Sequence, residues 1–205
     1  MTDPRLRIPP RAPNSFIPRS HTWSLNSNGK LGFISDKVIY ENTSYQVGNV
    51  MTDTGLDVPF VPTPRPMVRR MLSLADTKPG ERLIDLGAGD GRIVITAASE
   101  FGARALGVEL HPERYAIIRN SAAALKPNLH AIRQNFFNTD LSSADVVTMY
   151  LLPSVNEALR RKLERELQSG ARVVSHDFSI PDWTPARVEI LQGPLGLHAL
   201  YLYKI

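Results

Sequence analysis

Three glycines within five residues constrain this chain more than any other feature. The stretch Asp85-Leu86-Gly87-Ala88-Gly89-Asp90-Gly91 has the form D-x-G-x-G-x-G. It is preceded by the apolar run Arg82-Leu83-Ile84-Asp85-Leu86 and followed by the helical stretch Arg92 to Phe101. A buried strand must therefore turn tightly into a helix at a place where side chains are repeatedly absent. The free amides at the start of such a helix favour an anionic group. In a dinucleotide-binding turn the spacing is G-x-G-x-x-G, whereas here the sixth position is Arg92. That argues against a pyrophosphate lying on this helix.

Around this turn the pattern alternates regularly. Pro66 suits a first helical position and opens a helix from Met67 to Ala75. Arg104 to Glu109 reads as a second strand, and Pro112 starts the next helix. Leu129 to Arg133 and Asp145 to Tyr150 are the third and fourth strands. Ser154-Val155-Asn156-Glu157 has the capping-box pattern, and Val155, Leu159, Leu163 and Leu167 recur every four residues along the helix it opens. Gly170 is expected to end that helix as a left-handed cap. Arg172 to Ser175 makes a fifth strand, with Ala186–Ile190 and Leu197–Tyr203 as two more. Strands and helices alternating in this way imply an α/β fold, a mostly parallel sheet of seven strands with helices on both faces. The last two strands leave no room for a helix between them, so they form a hairpin whose final strand is antiparallel.

The first 57 residues differ. Pro4, Pro9, Pro10, Pro13 and Pro18 are interleaved with Arg5, Arg7, Arg11 and Arg19, which predicts an extended basic arm. This stretch lacks the apolar core of a secretory signal, and its prolines spoil the amphipathic helix of a transit peptide, so a cytoplasmic location is expected. Residues 21–57 are polar, with Gly32-Phe33-Ile34 and Lys37-Val38-Ile39-Tyr40 able to pair as a hairpin. The division expected is a flexible extension over residues 1–57 and a domain over residues 58–205. Val58-Pro59-Phe60-Val61-Pro62-Thr63-Pro64, which opens that domain, is too proline-rich for helix or central strand and must lie over the surface of something.

Composition removes several chemistries. The 205 residues include no cysteine, which excludes disulfides, thiolate metal sites and a cysteine nucleophile. No apolar run approaches the roughly 20 residues of a membrane-spanning helix. None of the five histidines stands at zincin spacing from another histidine or an acid, so no metal is expected. A net charge of +4 permits a nucleic-acid partner without requiring one.

The glycine turn also carries an acid. Asp85, just before the first glycine, needs a cationic or hydrogen-bonding partner, which a ligand bearing an ammonium and a carboxylate on one carbon supplies. Glu109 closes the second strand, 18 residues after Gly91, where an acid accepts both hydroxyls of a ribose. An amino acid at one end and a ribonucleoside at the other describe S-adenosylmethionine. Asn135 and Phe136, beyond the third strand, stand where an adenine edge and face are held, although phenylalanine there serves equally as core packing. Asp85 and Glu109 have plainer roles too, the first as a turn cap and the second as a partner of Arg114. Tyr150, at the end of the fourth strand, and His176, after the fifth, face the edge at which a methyl acceptor enters. Tyr150-Leu151-Leu152-Pro153 is not the Asn-Pro-Pro-Tyr pattern that grips the exocyclic amine of adenine.

With these residues in view, residues 58–205 resemble the archaeal broad-specificity protein lysine methyltransferase and its mitochondrial relatives that modify an ATP synthase subunit and the adenine nucleotide carrier. The resemblance rests on residues 58–64, Asp85–Val94, Gly107-Val108-Glu109 and Asn135-Phe136-Phe137. It extends to Val147–Leu152 with Val155-Asn156-Glu157, and to Gly170–His176. It implies a Rossmann-like class I methyltransferase that binds S-adenosylmethionine through Asp85, Gly87, Gly89, Asp90, Glu109, Asn135 and Phe136. It also implies lysine side chains of proteins as acceptors; Thr63, Tyr150 and His176 are placed along the acceptor channel, where desolvation beside the sulfonium charge makes a dedicated general base unnecessary, and no catalytic residue is assigned. Two other functions fit the same fold: an RNA methyltransferase, and a binding module without catalysis.

Overall fold

The computed structural model describes residues 60–193 and 196–205 in full, together with three short strands nearer the amino terminus. The chain divides into two compact units, Met1–Ser44 and Tyr45–Ile205. In the first, β1 (Thr22–Leu25), β2 (Leu31–Ser35) and β3 (Val38–Ile39) form an antiparallel sheet in that order. The pairing of Ile34 with Ile39 is the hairpin expected there, whereas β1, only four residues long among polar neighbours, gave no clear pattern. The basic arm over residues 1–20, Val58-Pro59 and the boundary expected after residue 57 lie outside the described residues.

The second unit contains α1 (Arg65–Leu74), β4 (Arg82–Leu86), α2 (Arg92–Glu100), β5 (Arg104–Val108), α3 (Pro112–Leu125) and β6 (Leu129–Ile132). A short 3-10 turn at Phe136–Asn138 then leads to β7 (Val146–Met149), α4 (Pro153–Glu166), β8 (Arg172–His176), β9 (Arg187–Gly193) and β10 (Gly196–Lys204). These seven strands make one sheet in the order β6-β5-β4-β7-β8-β10-β9. β4 pairs in parallel with β5 and β7, and β7 with β8, while β10 runs antiparallel to both β8 and β9. Only the last strand is reversed, as expected.

Alternation along each strand sends side chains to the two faces of the sheet. Leu83, Val146 and Val174 join Met71, Val94 and Ile118 of α1, α2 and α3 in one core. Ile84, Val147 and Val173 join Val155, Leu159 and Leu163 of α4 in the other. The four-residue repeat of α4 is thus its buried stripe.

The ends of α4 depart from expectation. Pro153 takes the first helical position, with its φ already set for the helix, so Leu152 is the N-cap and Ser154 makes no capping bond. The helix ends at Glu166, and Gly170, although left-handed at φ +92°, turns the chain into β8 three residues past the Leu167 cap. Its amide donates to the carbonyl of Ile205 instead.

Chain order places the site. From β4 the sheet grows to one side through β5 and β6 and to the other through β7 and β8, so a crevice opens at the carboxyl end of β4, where ligands bind in open α/β sheets. Fully buried Asn156 ties α4 to the chain leaving β8, its amide donating to the carbonyls of Phe178 and Ser179, each at 3.2 Å. Replacing Asn156→Ala removes a donor from both carbonyls, of which that of Phe178 keeps the Ser175 hydroxyl, and is expected to cost about 1–3 kcal/mol, measured as a lower midpoint in urea unfolding.

Candidate functional site: a cleft at the switch of the sheet

The turn after β4 is held by the neighbouring strand. The amides of Gly87 and Ala88 both donate to the carbonyl of Val108, at 3.0 and 2.9 Å. The proline-rich stretch lies over this turn, so the surface it was expected to cover is the glycine loop itself. Gly89 has φ +57°, and a Cβ there would stand 2.5 Å from the ring of Phe60. Both its conformation and its neighbour therefore require glycine. The cleft beneath is open to solvent.

Asp85, Gly87, Gly89, Asp90, Glu109, Asn135, Phe136, Thr63 and Tyr150 all line this cleft. His176 does not; it is wholly buried behind Thr63 and Tyr150. Its expected place on the channel wall is corrected to a position one layer back, because Tyr150, with its ring centroid 4.0 Å from the imidazole, covers it.

Asp85 is only 2% exposed. It does not cap its turn, whose amides go to Val108; one oxygen accepts from the hydroxyl of Thr148 at 2.7 Å. Burial drives its pKa up to about 7, against the Thr148 bond and with help from the charges of Glu109 and Asp90. A cationic ligand group therefore meets an acid that has lacked a counter-charge. Thr148 escaped sequence reading because strand register alone sets it opposite Asp85.

Glu109 is heavily used. Its Oε2 accepts from the Gly89 amide at 2.8 Å, and its Oε1 accepts from the His111 amide at 2.8 Å and from Arg114 at 3.3 Å. The plainer pairing with Arg114 is thus real, and it coexists with a place on the cleft wall. The guanidinium of Arg114 also lies over the Phe60 ring, 5.1 Å from its centroid. Asp90 is engaged by Arg92 through bonds of 2.5 and 2.9 Å. Burial pushes its carboxyl up, but the bonds and charge of Arg92 outweigh this and hold it below the usual range. Arg92 also donates to the carbonyl of Thr63 at 2.8 Å, joining the proline-rich stretch to the glycine turn. The residue that breaks the dinucleotide pattern thus has a structural task.

Asn135 accepts from the Phe137 amide through Oδ1, while its buried Nδ2 has no partner among the described residues. An unmet donor on the cleft wall fits an adenine acceptor, and a raised, unpaired carboxyl fits an ammonium, so the residues present suit S-adenosylmethionine. Phe136 both lines the cleft and packs in the core, combining the two roles left open for it.

Behind Tyr150 the fold gathers a cluster that chain spacing hides. His198 of β10 meets His176 and Asp177, and the ligand-type atoms of the three lie within 4.8 Å of one another. His176 Nε2 is 3.0 Å from His198 Nδ1, and Asp177 Oδ2 is 3.2 Å from His198 Nδ1 and 3.4 Å from His176 Nε2, which are hydrogen-bonding separations.

Comparison with known proteins agrees with this geometry. Residues 85–187 match the ANTKMT methyltransferase domain. The chain is 47% identical over 154 residues to the protein-lysine N-methyltransferase of Saccharolobus islandicus (strain REY15A), covering 72% of this chain and 94% of that protein. It is 40% identical over 136 residues to the mouse adenine nucleotide translocase lysine N-methyltransferase, covering 65% of this chain but only 58% of the mouse protein. A crystal structure described as an RNA methyltransferase from Salinibacter ruber in complex with S-adenosyl-L-homocysteine superposes with a TM-score of 0.67 at 45% identity, over 71% of this chain and 94% of that one. The fold is therefore that of the Rossmann-like methyltransferases.

Two consequences of the Asp85 environment are measurable. Its folded pKa is raised, so it favours the protonated, folded state at low pH and loses that contribution as pH climbs through about 7. Asp85→Asn is expected to stabilise the ligand-free protein at pH 8, by an amount on the order of a few kcal/mol, with the gain vanishing near pH 4 in thermal unfolding. The same substitution is expected to abolish S-adenosylmethionine binding in calorimetric titration, while wild-type affinity falls as pH drops from 8 to 6. Glu109→Ala is expected to weaken binding at least tenfold, because it frees the Gly89 amide as well as removing the acid. With the match across residues 85–187 and this cleft at the sheet's turning point, the chain belongs to the ANTKMT methyltransferase domain family.

Proposed function

We propose that this protein is an S-adenosylmethionine-dependent protein-lysine N-methyltransferase working in the cytoplasm. The observation that carries the methyl-donor half is Asp85, an acid with a raised pKa and no cationic partner among the described residues, set beside bare glycine backbone at the switch point. Asp85 holds the amino group of the donor, the Gly87–Gly89 backbone admits its amino-acid end, and Glu109 takes the ribose. Asn135 and Phe136 supply an edge and a face for the adenine. When bound, S-adenosylmethionine supplies a methyl group on a positively charged sulfur, which needs no metal for its transfer.

The acceptor half rests on Thr63 and Tyr150, the lining residues on the side away from Glu109, and on a cleft open enough for a macromolecular side chain. Lysine, with a pKa of about 10.4, enters mostly as ammonium. Partial desolvation among Phe60, Val61, Pro62 and Tyr150, beside a positive sulfur, lowers that pKa and favours the reactive amine. The protein-lysine N-methyltransferases of Saccharolobus and mouse, at 47% and 40% identity, support this acceptor.

One observation favours a second acceptor. The Salinibacter ruber protein, 45% identical, is described as an RNA methyltransferase, and this chain carries a net charge of +4. Against RNA stands the Tyr150-Leu151-Leu152-Pro153 stretch, which offers no pair of side-chain acceptors for a base amine. A cell extract incubated with the protein and methyl-labelled cofactor separates the two. Label removed by protease and retained after nuclease is expected, with mass increments of one to three methyl groups on lysine in tryptic peptides; label lost to nuclease assigns RNA instead.

A further inference from the structure

The wall of the acceptor side conceals a chain of hydrogen bonds leading inward from the cleft. Thr63, 4% exposed and lining the cleft, places its Oγ1 3.1 Å from Nδ1 of His176. The opposite ring nitrogen, Nε2, is 3.0 Å from Nδ1 of His198. His198 Nδ1 is in turn 3.2 Å from Oδ2 of Asp177. Asp177 is tied in place on its other side, with Tyr150 donating to Oδ2 at 2.9 Å and the Ala199 amide to Oδ1 at 3.0 Å. It stands at φ +59°, a left-handed conformation uncommon outside glycine, and such strain persists only where its surroundings enforce it. His176 is wholly buried and does not itself line the cleft.

We propose that Thr63, backed by His176, His198 and Asp177, removes the proton that an incoming lysine must lose before it accepts a methyl group. This rests on the lysine assignment above. The lysine ammonium donates to Thr63 Oγ1 as the hydroxyl passes its own proton to His176 Nδ1. His176 releases the proton on Nε2 to His198 Nδ1, where the Asp177 carboxylate stabilises the resulting imidazolium. One proton enters the chain and rests on His198, whose Nε2 is buried, until it returns through Thr63 to the solvent of the cleft once product has left, while the lysine nitrogen keeps its electron pair for the methyl carbon. The scheme requires His176 to carry its resting proton on Nε2, so that Nδ1 accepts from Thr63, and His198 to carry its own on Nε2, so that its Nδ1 is free to accept.

The surroundings suit transfer rather than storage. Burial lowers the His176 pKa to about 4, against the opposing charge of Asp177, so the ring does not retain the proton it receives. Burial raises Asp177, but the two neighbouring imidazoles and the Ala199 amide outweigh this and keep it below the usual carboxylate range. The groups facing His176 are Thr63 from the proline-rich stretch, Tyr150 just after β7, Asp177 just after β8, and His198 from β10. Tyr201, also on β10, has its hydroxyl raised by burial and by Asp177 and stays neutral. Thr63 is the member that meets substrate; His176 and His198 act through it.

The test compares wild type with Thr63→Val, Thr63→Ser and His176→Gln, using a mixed protein extract as acceptor and the ratio of initial rates at each pH from 7 to 10. Thr63→Val and His176→Gln are expected to be about 100-fold slower at pH 7, with the deficit shrinking as pH nears the lysine pKa. Thr63→Ser, which keeps the hydroxyl, is expected to restore the rate. Affinity for S-adenosylhomocysteine, measured separately, is expected to stay within twofold of wild type. Nitrogen-15 spectra of the imidazoles, taken without cofactor, are expected to show His176 protonated on Nε2. A deficit constant across the pH range, or His176 protonated on Nδ1, overturns the relay. Failure of the wild type to methylate lysine is seen in its product masses alone, and overturns the lysine assignment without reference to any variant.

Discussion

The site depends on a single carboxylate. Glu109 accepts from the amide of Gly89 and from that of His111, so it ties the turn after β4 to the chain leaving β5. With the two amides that converge on the carbonyl of Val108, this makes the glycine turn an extension of the sheet. The turn thereby presents backbone to the cleft, and Phe60 can rest on Gly89. Arg114 reinforces the arrangement from both ends, reaching Glu109 and covering Phe60. The cleft is thus preorganised by bonds among its own walls, which reduces the ordering that a ligand must impose.

Preorganisation has a cost that is visible at Asp85. An acid taken out of water with only a threonine hydroxyl for company is held neutral up to about pH 7. Such a group opposes the folded state at higher pH and becomes favourable only when a cation arrives. The fold concentrates that unfavourable element where a positively charged ligand end relieves it. Behind Tyr150, Asp177 shows the contrary solution, a carboxylate kept charged by two imidazoles, a tyrosine hydroxyl and an amide. One buried acid and one half-buried acid, two strands apart, are thus set to opposite protonation states by their neighbours.

Much of the architecture was legible residue by residue. The apolar runs gave the seven strands of the large sheet to within three residues at their ends, and the repeat of Val155, Leu159 and Leu163 gave the buried stripe of α4. The capping-box pattern at Ser154 misled because Pro153, already fixed in φ, claimed the helix start. Of the cleft residues, Asp85, Gly87, Gly89, Glu109 and Asn135 could be named because each lies at a strand end or in the turn that follows one. His198 could not. It lies within a strand of the hairpin, 22 residues from His176, and only the antiparallel pairing of β10 with β8 brings the two rings to 3.0 Å.

Local patterning by itself determined the alternation of strands and helices, the glycine turn, and the kind of ligand such a turn admits. These follow from short-range facts: which residues alternate, which lack a side chain, and which acid ends a strand. Tertiary structure alone decided that Thr148 faces Asp85, that Arg92 bridges Asp90 and Thr63, and that His176 stands behind the cleft wall with His198 and Asp177. Those contacts depend on strand order and register, which join residues far apart in the chain, and no spacing along a sequence encodes how two distant strands will align.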